Sequence, residues 1–144
     1  MILCGSVSLW RSLRVSQPVK RLLPRAAMAS FEQGDVIKVP FPYTDRPTRQ
    51  NRPALVVSTG ALEDAHGLLW VVMITSAENR GWSGDVPVVN LVAAGLPVPS
   101  LIRTAKFATI EASDAAKLGR VPPALFKHVA RRMGRVLGFG ASLR

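Results

Sequence analysis

From Gly34 onward the sequence is a succession of short β-rich runs, none longer than eight residues, each closed by glycine, proline or a polar cluster. That punctuation restricts the chain to a fold of many short strands. Asp35 to Val39 is the first run, ended by Pro40 and Pro42, which cannot donate into a sheet ladder. Tyr43 to Asn51 is polar and basic without apolar periodicity and reads as an exposed loop. Ala54 to Ser58 is continuous enough in apolar residues for a strand buried on both faces, and Leu68 to Thr75 is the most hydrophobic run. Asp85 to Val89 reads as an edge strand, because Pro87 would cost a central one a hydrogen bond. Leu101 to Arg103 and Phe107 to Ile110 give one or two more strands after the Pro97-Val98-Pro99 turn.

The period then changes. Pro122 and Pro123 suit a helix start, and Leu125, Val129, Met133 and Leu137 recur every four residues, with Phe126, Ala130 and Val136 beside them. Lys127, His128, Arg131, Arg132 and Arg135 fill the opposite face without an acid, and Gly138 and Gly140 end the helix. The expected fold is mainly β, a small barrel with a C-terminal α-helix.

Charge divides the chain unevenly. The 144 residues include 19 Lys and Arg against 9 Asp and Glu, a net of +10. The first 31 residues hold five of the basic residues and none of the acids, so half the excess lies there. Residues 1–31 therefore read as a basic N-terminal extension, and residues 32–144 as the domain. The extension has the composition of an organellar transit peptide but not the charge order of a secretory signal. The plainer reading is an untidy tail, or translation that starts at Met28. The excess charge favours a polyanionic or acidic partner. The single cysteine, Cys4, excludes an internal disulfide and a thiolate zinc site. No apolar run approaches the roughly 18 residues a membrane-spanning helix needs.

Much catalytic chemistry has no residues to carry it. There is no glycine-rich phosphate loop, no HExxH, no set of residues at metal-ligand spacing and no Gly-x-Ser-x-Gly elbow. His66 reads as a solvated histidine in a Glu-Asp-Ala-His-Gly loop, and His128 as an exposed one on the charged helix face. These absences argue against a metal-dependent or triad-based enzyme.

What remains is an ordered set of motifs. Gly34-Asp35-Val36-Ile37-Lys38-Val39-Pro40-Phe41-Pro42-Tyr43-Thr44-Asp45 is followed by Arg52-Pro53-Ala54-Leu55-Val56-Val57-Ser58 and Ile74-Thr75-Ser76. Gly84-Asp85-Val86-Pro87, Gly95-Leu96-Pro97-Val98-Pro99-Ser100 and Ile102-Arg103 complete it. Between about residues 33 and 137 the chain resembles the PemK/MazF family of toxins, with the elements in the family's order.

The resemblance implies an SH3-like barrel of the PemK/MazF/CcdB type. It implies a homodimeric, cytoplasmic toxin of a type II toxin–antitoxin pair that cuts single-stranded RNA without a metal or other cofactor. Its partners would be the RNA, a cognate antitoxin with an acidic or amphipathic tail and, with the antitoxin, operator DNA. By motif, the catalytic residues would be Arg52 and Thr75 with the adjoining Ser76, and Arg103. Several relatives carry Arg-x-Asp where this chain has Arg103-Thr104-Ala105, so Ala105 leaves the general base unassigned. Asp45, Glu78 and His66 are weak substitutes. Arg46, Arg49, Gln50, Arg80 and Trp82 are the expected RNA-binding residues.

The chemistry is consistent with that assignment. In metal-free cleavage the RNA 2′-hydroxyl attacks its own phosphate, and negative charge gathers on the phosphoryl oxygens. A permanently charged guanidinium fork is a suitable stabiliser, and a neighbouring hydroxyl can donate to the same group. Taken singly, each residue has an ordinary reading. Arg52 could cover a strand end or pair with Asp45, Thr75 is a common strand residue, and Arg103 could be a solvated edge charge. Trp70 reads as core, whereas Trp82, in a polar loop, is the better stacking platform. Two other functions suit the same barrel: a CcdB-like poison of a protein target such as DNA gyrase, and a nucleic-acid-binding module without catalysis.

Overall fold

Alternation along the first strand sets the two-sided design of the molecule. In β1 (Asp35–Phe41), Ile37, Val39 and Phe41 turn to one face, while Val36 and the exposed Lys38 turn to the other. The computed structural model describes residues 30–41 and 50–139. Most of the expected extension and the loop segment carrying Asp45, Arg46 and Arg49 lie outside the described residues.

β1 pairs antiparallel with β2 (Gln50–Val56), from Val36 opposite Leu55 to Phe41 opposite Gln50. β2 pairs with β3 (Leu68–Ser76) only over Ala54 to Val56. Pro53 lies just outside that ladder, so its missing N–H costs no bond to β3. β3 pairs along its length with β5 (Ser100–Glu111). β4 (Val86–Pro87) flanks β5 at one edge, and β6 (Ala116–Arg120) flanks β1 at the other. The order is β4-β5-β3-β2-β1-β6, a six-stranded antiparallel sheet that curls into a half-barrel. Between Val72 and Met73 the β3–β5 register jumps from Phe107 to Arg103. Thr104, Ala105 and Lys106 therefore form a bulge where β5 can bend.

Both faces are buried. Ile37, Val39, Phe41, Ala54, Val56, Leu69, Val71, Met73, Ala108 and Ile110 form one core with Phe31. Val36, Leu55, Val72, Ile74, Val86 and Ile102 form the other, covered by α2 (Leu91–Ala94) and α3 (Pro123–Val136). Val129 of α3 is fully buried there, with Leu125, Phe126 and Met133 beside it.

α2 meets β6 at two glycines. A Cβ on Gly119 would run into the Ala93 carbonyl oxygen, and one on Gly95 into the Leu118 carbonyl oxygen. Gly95 also has φ +72°, the left-handed conformation that closes α2.

Several expectations need correction. β2 begins at Gln50, inside the expected loop, because Phe41 and Pro40 extend β1 and pair with Gln50 and Asn51. The Glu-Asp-Ala-His segment is helical, in α1 (Gly60–His66), with Gly67 at φ +70° as its C-cap. Its Glu63 carboxylate accepts the Ser30 and Phe31 N–H groups at 2.9 and 3.1 Å, which ties the start of the domain to this helix. The expected strand at Asp85–Val89 pairs only at Val86 and Pro87, on the edge that Pro87 tolerates. β5 is one strand, and β6 follows a single 3-10 turn at Ala112–Asp114. Val136 and Leu137 are exposed instead of continuing the apolar stripe, and Trp70 is half-exposed, edge-on to Phe107 at 5.6 Å.

Candidate RNA-cleavage site

Pairing and alternation decide which face Arg52 and Thr75 share. Arg52 lies opposite Val39 and shares the face of Ala54 and Val56, while Thr75 shares the face of Met73 and Val71. These are the same side of the sheet. Carrying the β2–β3 register two residues past Ala54–Met73 places Arg52 across from Thr75. No ladder pair joins the strands there, so the half-buried arginine and the threonine flank the open end of the sheet. Gln50, opposite Phe41, is on the same face and is exposed.

Thr75 is 3% exposed, and its hydroxyl has a defined partner. The Asn79 side-chain amide donates to Thr75 Oγ1 at 2.6 Å. That bond uses one of the oxygen's two acceptor sites, and among the described residues the hydroxyl proton has no acceptor. Asn79 is a site residue that the sequence reading missed; its position four residues after Thr75, in the turn closing β3, was the available signal. Ser76 differs from its neighbour. It falls on the opposite face of β3, opposite Ser100, and its Oγ accepts the Glu78 N–H at 3.2 Å.

Arg103 is not a solvated edge charge. Its Nη2 is 2.9 Å from Asp85 Oδ2, its Nε is 3.3 Å from both Asp85 oxygens, and Nη2 also donates to the Arg80 carbonyl at 2.7 Å. Its guanidinium carbon lies 4.2 Å from the centre of the Trp82 ring, with Lys106 Nζ at 5.6 Å. Asp85 in turn accepts the Trp82 N–H at 2.9 Å. Arg103 thus holds the loop between β3 and β4 by its carboxylate, a carbonyl and its aromatic ring. Asp85, just before β4, supplies Arg103 with a carboxylate partner, in place of one at Ala105 on β5. Burial opposes the charged form of Asp85, but the Arg103 and Trp82 hydrogen bonds and the guanidinium charge outweigh it and hold the carboxyl below its ordinary value.

The loop, which follows the end of β3 that carries Thr75, keeps Trp82 45% exposed and Arg80 exposed. His66 is far from this end. The two ends of the nine-residue β3 are eight residue steps apart, about 26 Å at the usual rise. Glu78 is exposed near Ser76, and His128 is on α3. Among the described residues, Arg52, Gln50 and Thr75 share one face, Asn79 is bonded to Thr75, and Arg103, Arg80 and Trp82 form a cluster with Asp85. Ser76 and His66 are left apart.

This curled antiparallel sheet with a C-terminal helix is the fold of the MazF-type toxins. MazF from Deinococcus radiodurans matches with a TM-score of 0.63 at 22% identity, over 75% of this chain and 96% of that one. An endoribonuclease solved with its cognate antitoxin from a mycobacterial species matches at 0.60 and 19%, over 76% and 96%. The Mycobacterium tuberculosis toxin MazF-mt6 matches at 0.55 and 23%, over 72% and 96%. No curated protein sequence matches the chain. The sequence profile described as PemK-like, MazF-like toxin of type II toxin–antitoxin system covers residues 32–137, and the chain belongs to that family.

Proposed function

We propose that the chain is a toxin endoribonuclease that cuts single-stranded RNA by attack of a 2′-hydroxyl on the adjoining phosphate. The observation that carries this reading is that Arg52 and Thr75 share one face of the sheet, two residues past the last β2–β3 ladder pair, where these two strands no longer pair with each other. Attack forms the bond from the 2′ oxygen to phosphorus as the 2′-hydroxyl gives its proton to water, and the bond to the 5′ oxygen breaks. The products are a 2′,3′-cyclic phosphate and a 5′ end that takes up a proton. Arg52 stabilises the charge that builds on the non-bridging oxygens, and the Thr75 hydroxyl, oriented by Asn79, donates to the same phosphoryl group. Asp85, held ionised by Arg103, has no proton to give near neutrality. Its part is to fix the loop that presents Arg80 and Trp82 to the flanking nucleotides.

The proposed setting is a cytoplasmic homodimer, silenced by a cognate antitoxin and joining it on operator DNA. Arg46 and Arg49 would bind the same RNA. Incubating the purified protein with a long RNA in EDTA tests the reading. Fragments with 2′,3′-cyclic phosphate ends are expected. Intact RNA, with growth still arrested in cells, would favour the CcdB-like alternative.

A further inference from the structure

We propose that the outer face of α3 is a docking track for the phosphate backbone of the same RNA strand, extending from the candidate site around the β4 edge. At 3.6 residues per turn, Lys127, His128, Arg131, Arg132 and Arg135 fall within about 140° of the helix circumference, away from the buried Val129. Lys127, Arg131 and Arg135 are exposed, and none makes an ion pair or hydrogen bond with a described residue. Each follows the last by four residues, about 6 Å along the axis. Like charges at that spacing repel and weaken a helix, and α3 contains no acid to offset them. A polyanion lying along the stripe would.

Arg132 joins the stripe to the site. It is half-buried, and its Nη1 lies 3.7 Å from where a Cβ on Gly84 would sit, beside Thr104 Oγ1. Its shielded Nε has no hydrogen-bond partner. Gly84 belongs to the loop that Arg103 and Asp85 clamp, so through Arg132 the stripe on α3 reaches the loop that carries Arg80 and the half-exposed Trp82, over whose ring Lys106 also lies. The occupant is a nucleic-acid strand because the residues between the cations offer no large anchor. Within the arc of the cations the exposed apolar residue is Ala124, and the larger exposed Val136 and Leu137 fall outside it at the end of the helix, whereas a protein interface centres on buried aromatic or aliphatic anchors. Cations alternating with a stacking ring are the usual furnishing of a single-strand path.

This inference rests on the Arg52–Thr75 reading for its direction, but its test does not require cleavage. The probe is a 30-nucleotide RNA methylated at every 2′ oxygen, which lacks the nucleophile. K127E/R131E/R135E should weaken binding at least tenfold at physiological salt. It should also reduce the slope of log affinity against log salt by about 2, since each phosphate contact of a single strand contributes about 0.7. Bound probe should shield Lys127, but not the exposed Lys38 of β1, from acetylation. If circular dichroism shows the charge-reversed protein unfolded, the glutamine triple variant takes its place and the same loss is expected. An unchanged slope, or no protection of Lys127, overturns the proposal. So does stronger protection of Lys127 by a glutamate-rich peptide than by the RNA, which would assign the face to a protein partner. Protection of Lys127 without cleavage of ordinary RNA sinks the site reading and leaves the track. Cleavage without protection does the reverse.

Discussion

Arg103 and Asp85 face each other one residue beyond the last pair of the β4–β5 register, their charged atoms 2.9 Å apart and both side chains 7% exposed. Truncating one member leaves the other as an uncompensated buried charge, a loss of about 3–5 kcal/mol. Asp85→Ala should therefore lower the denaturation midpoint sharply, by much more than a surface substitution does. Replacing both, as in D85L/R103M, should recover a good part of the loss. A fully additive double mutant, measured by urea titration, would show that the two side chains are not coupled.

The same pair fixes an acid limit. The folded-state pKa of Asp85 lies below its unfolded value of about 4, so its stabilisation is complete above that value and fades as pH falls through the lowered one. The stability gap between wild type and Asp85→Asn should stay constant from pH 7 to about 5, then shrink in stronger acid. Denaturant titrations at several pH values measure it. A gap that widened as pH fell would carry the wrong sign for this carboxylate.

The strands were readable because runs such as Ala54 to Ser58 and Leu68 to Thr75 are continuously apolar, as burial on both faces requires, and glycine, proline or a polar cluster closes each. The sequence also placed Arg52 and Thr75 at strand ends, though only pairing registers show that they share a face and that Ser76 does not. The missed features depend on partners distant in sequence. β6 is polar and exposed, so Ala116 to Arg120 has no apolar signature, and it is held by pairing with β1 and by Arg120, 2.6 Å from the buried Asp35. α1 is short, and its Gly60 start disguised it as a loop. Asp85 as the partner of Arg103 required the β4–β5 register, which two ladder pairs define. Leu137 kept the helical period but passed beyond the sheet, so periodicity overstated the packed face.

The contact between α2 and β6 makes a separate prediction. Gly119→Ala places a methyl against the Ala93 carbonyl, and Gly95→Ala adds a left-handed φ to a clash with Leu118. Each should destabilise the fold by about 2 kcal/mol through displaced backbone. Thermal melts against Gly67→Ala check this. Gly67 has a similar φ but open space around its Cβ, so that variant should cost less.

The roles of Arg52, Thr75 and Asn79 separate by kinetics. Arg52→Ala should abolish cleavage with the fold intact, and Arg52→Lys should restore little, because an ammonium lacks the planar fork. Thr75→Val keeps the shape and removes the donor, so kcat should drop about 10²- to 10³-fold, as when an oxyanion donor is lost. Thr75→Ser should recover most of it. Asn79→Ala should cost about tenfold or less, because Asn79 acts only by orienting Thr75. In a Thr75→Val background the Asn79 substitution should then have no further effect, since there is no hydroxyl left to orient. A full additional loss in the double variant would give Asn79 its own contact with the RNA and overturn the positioning role.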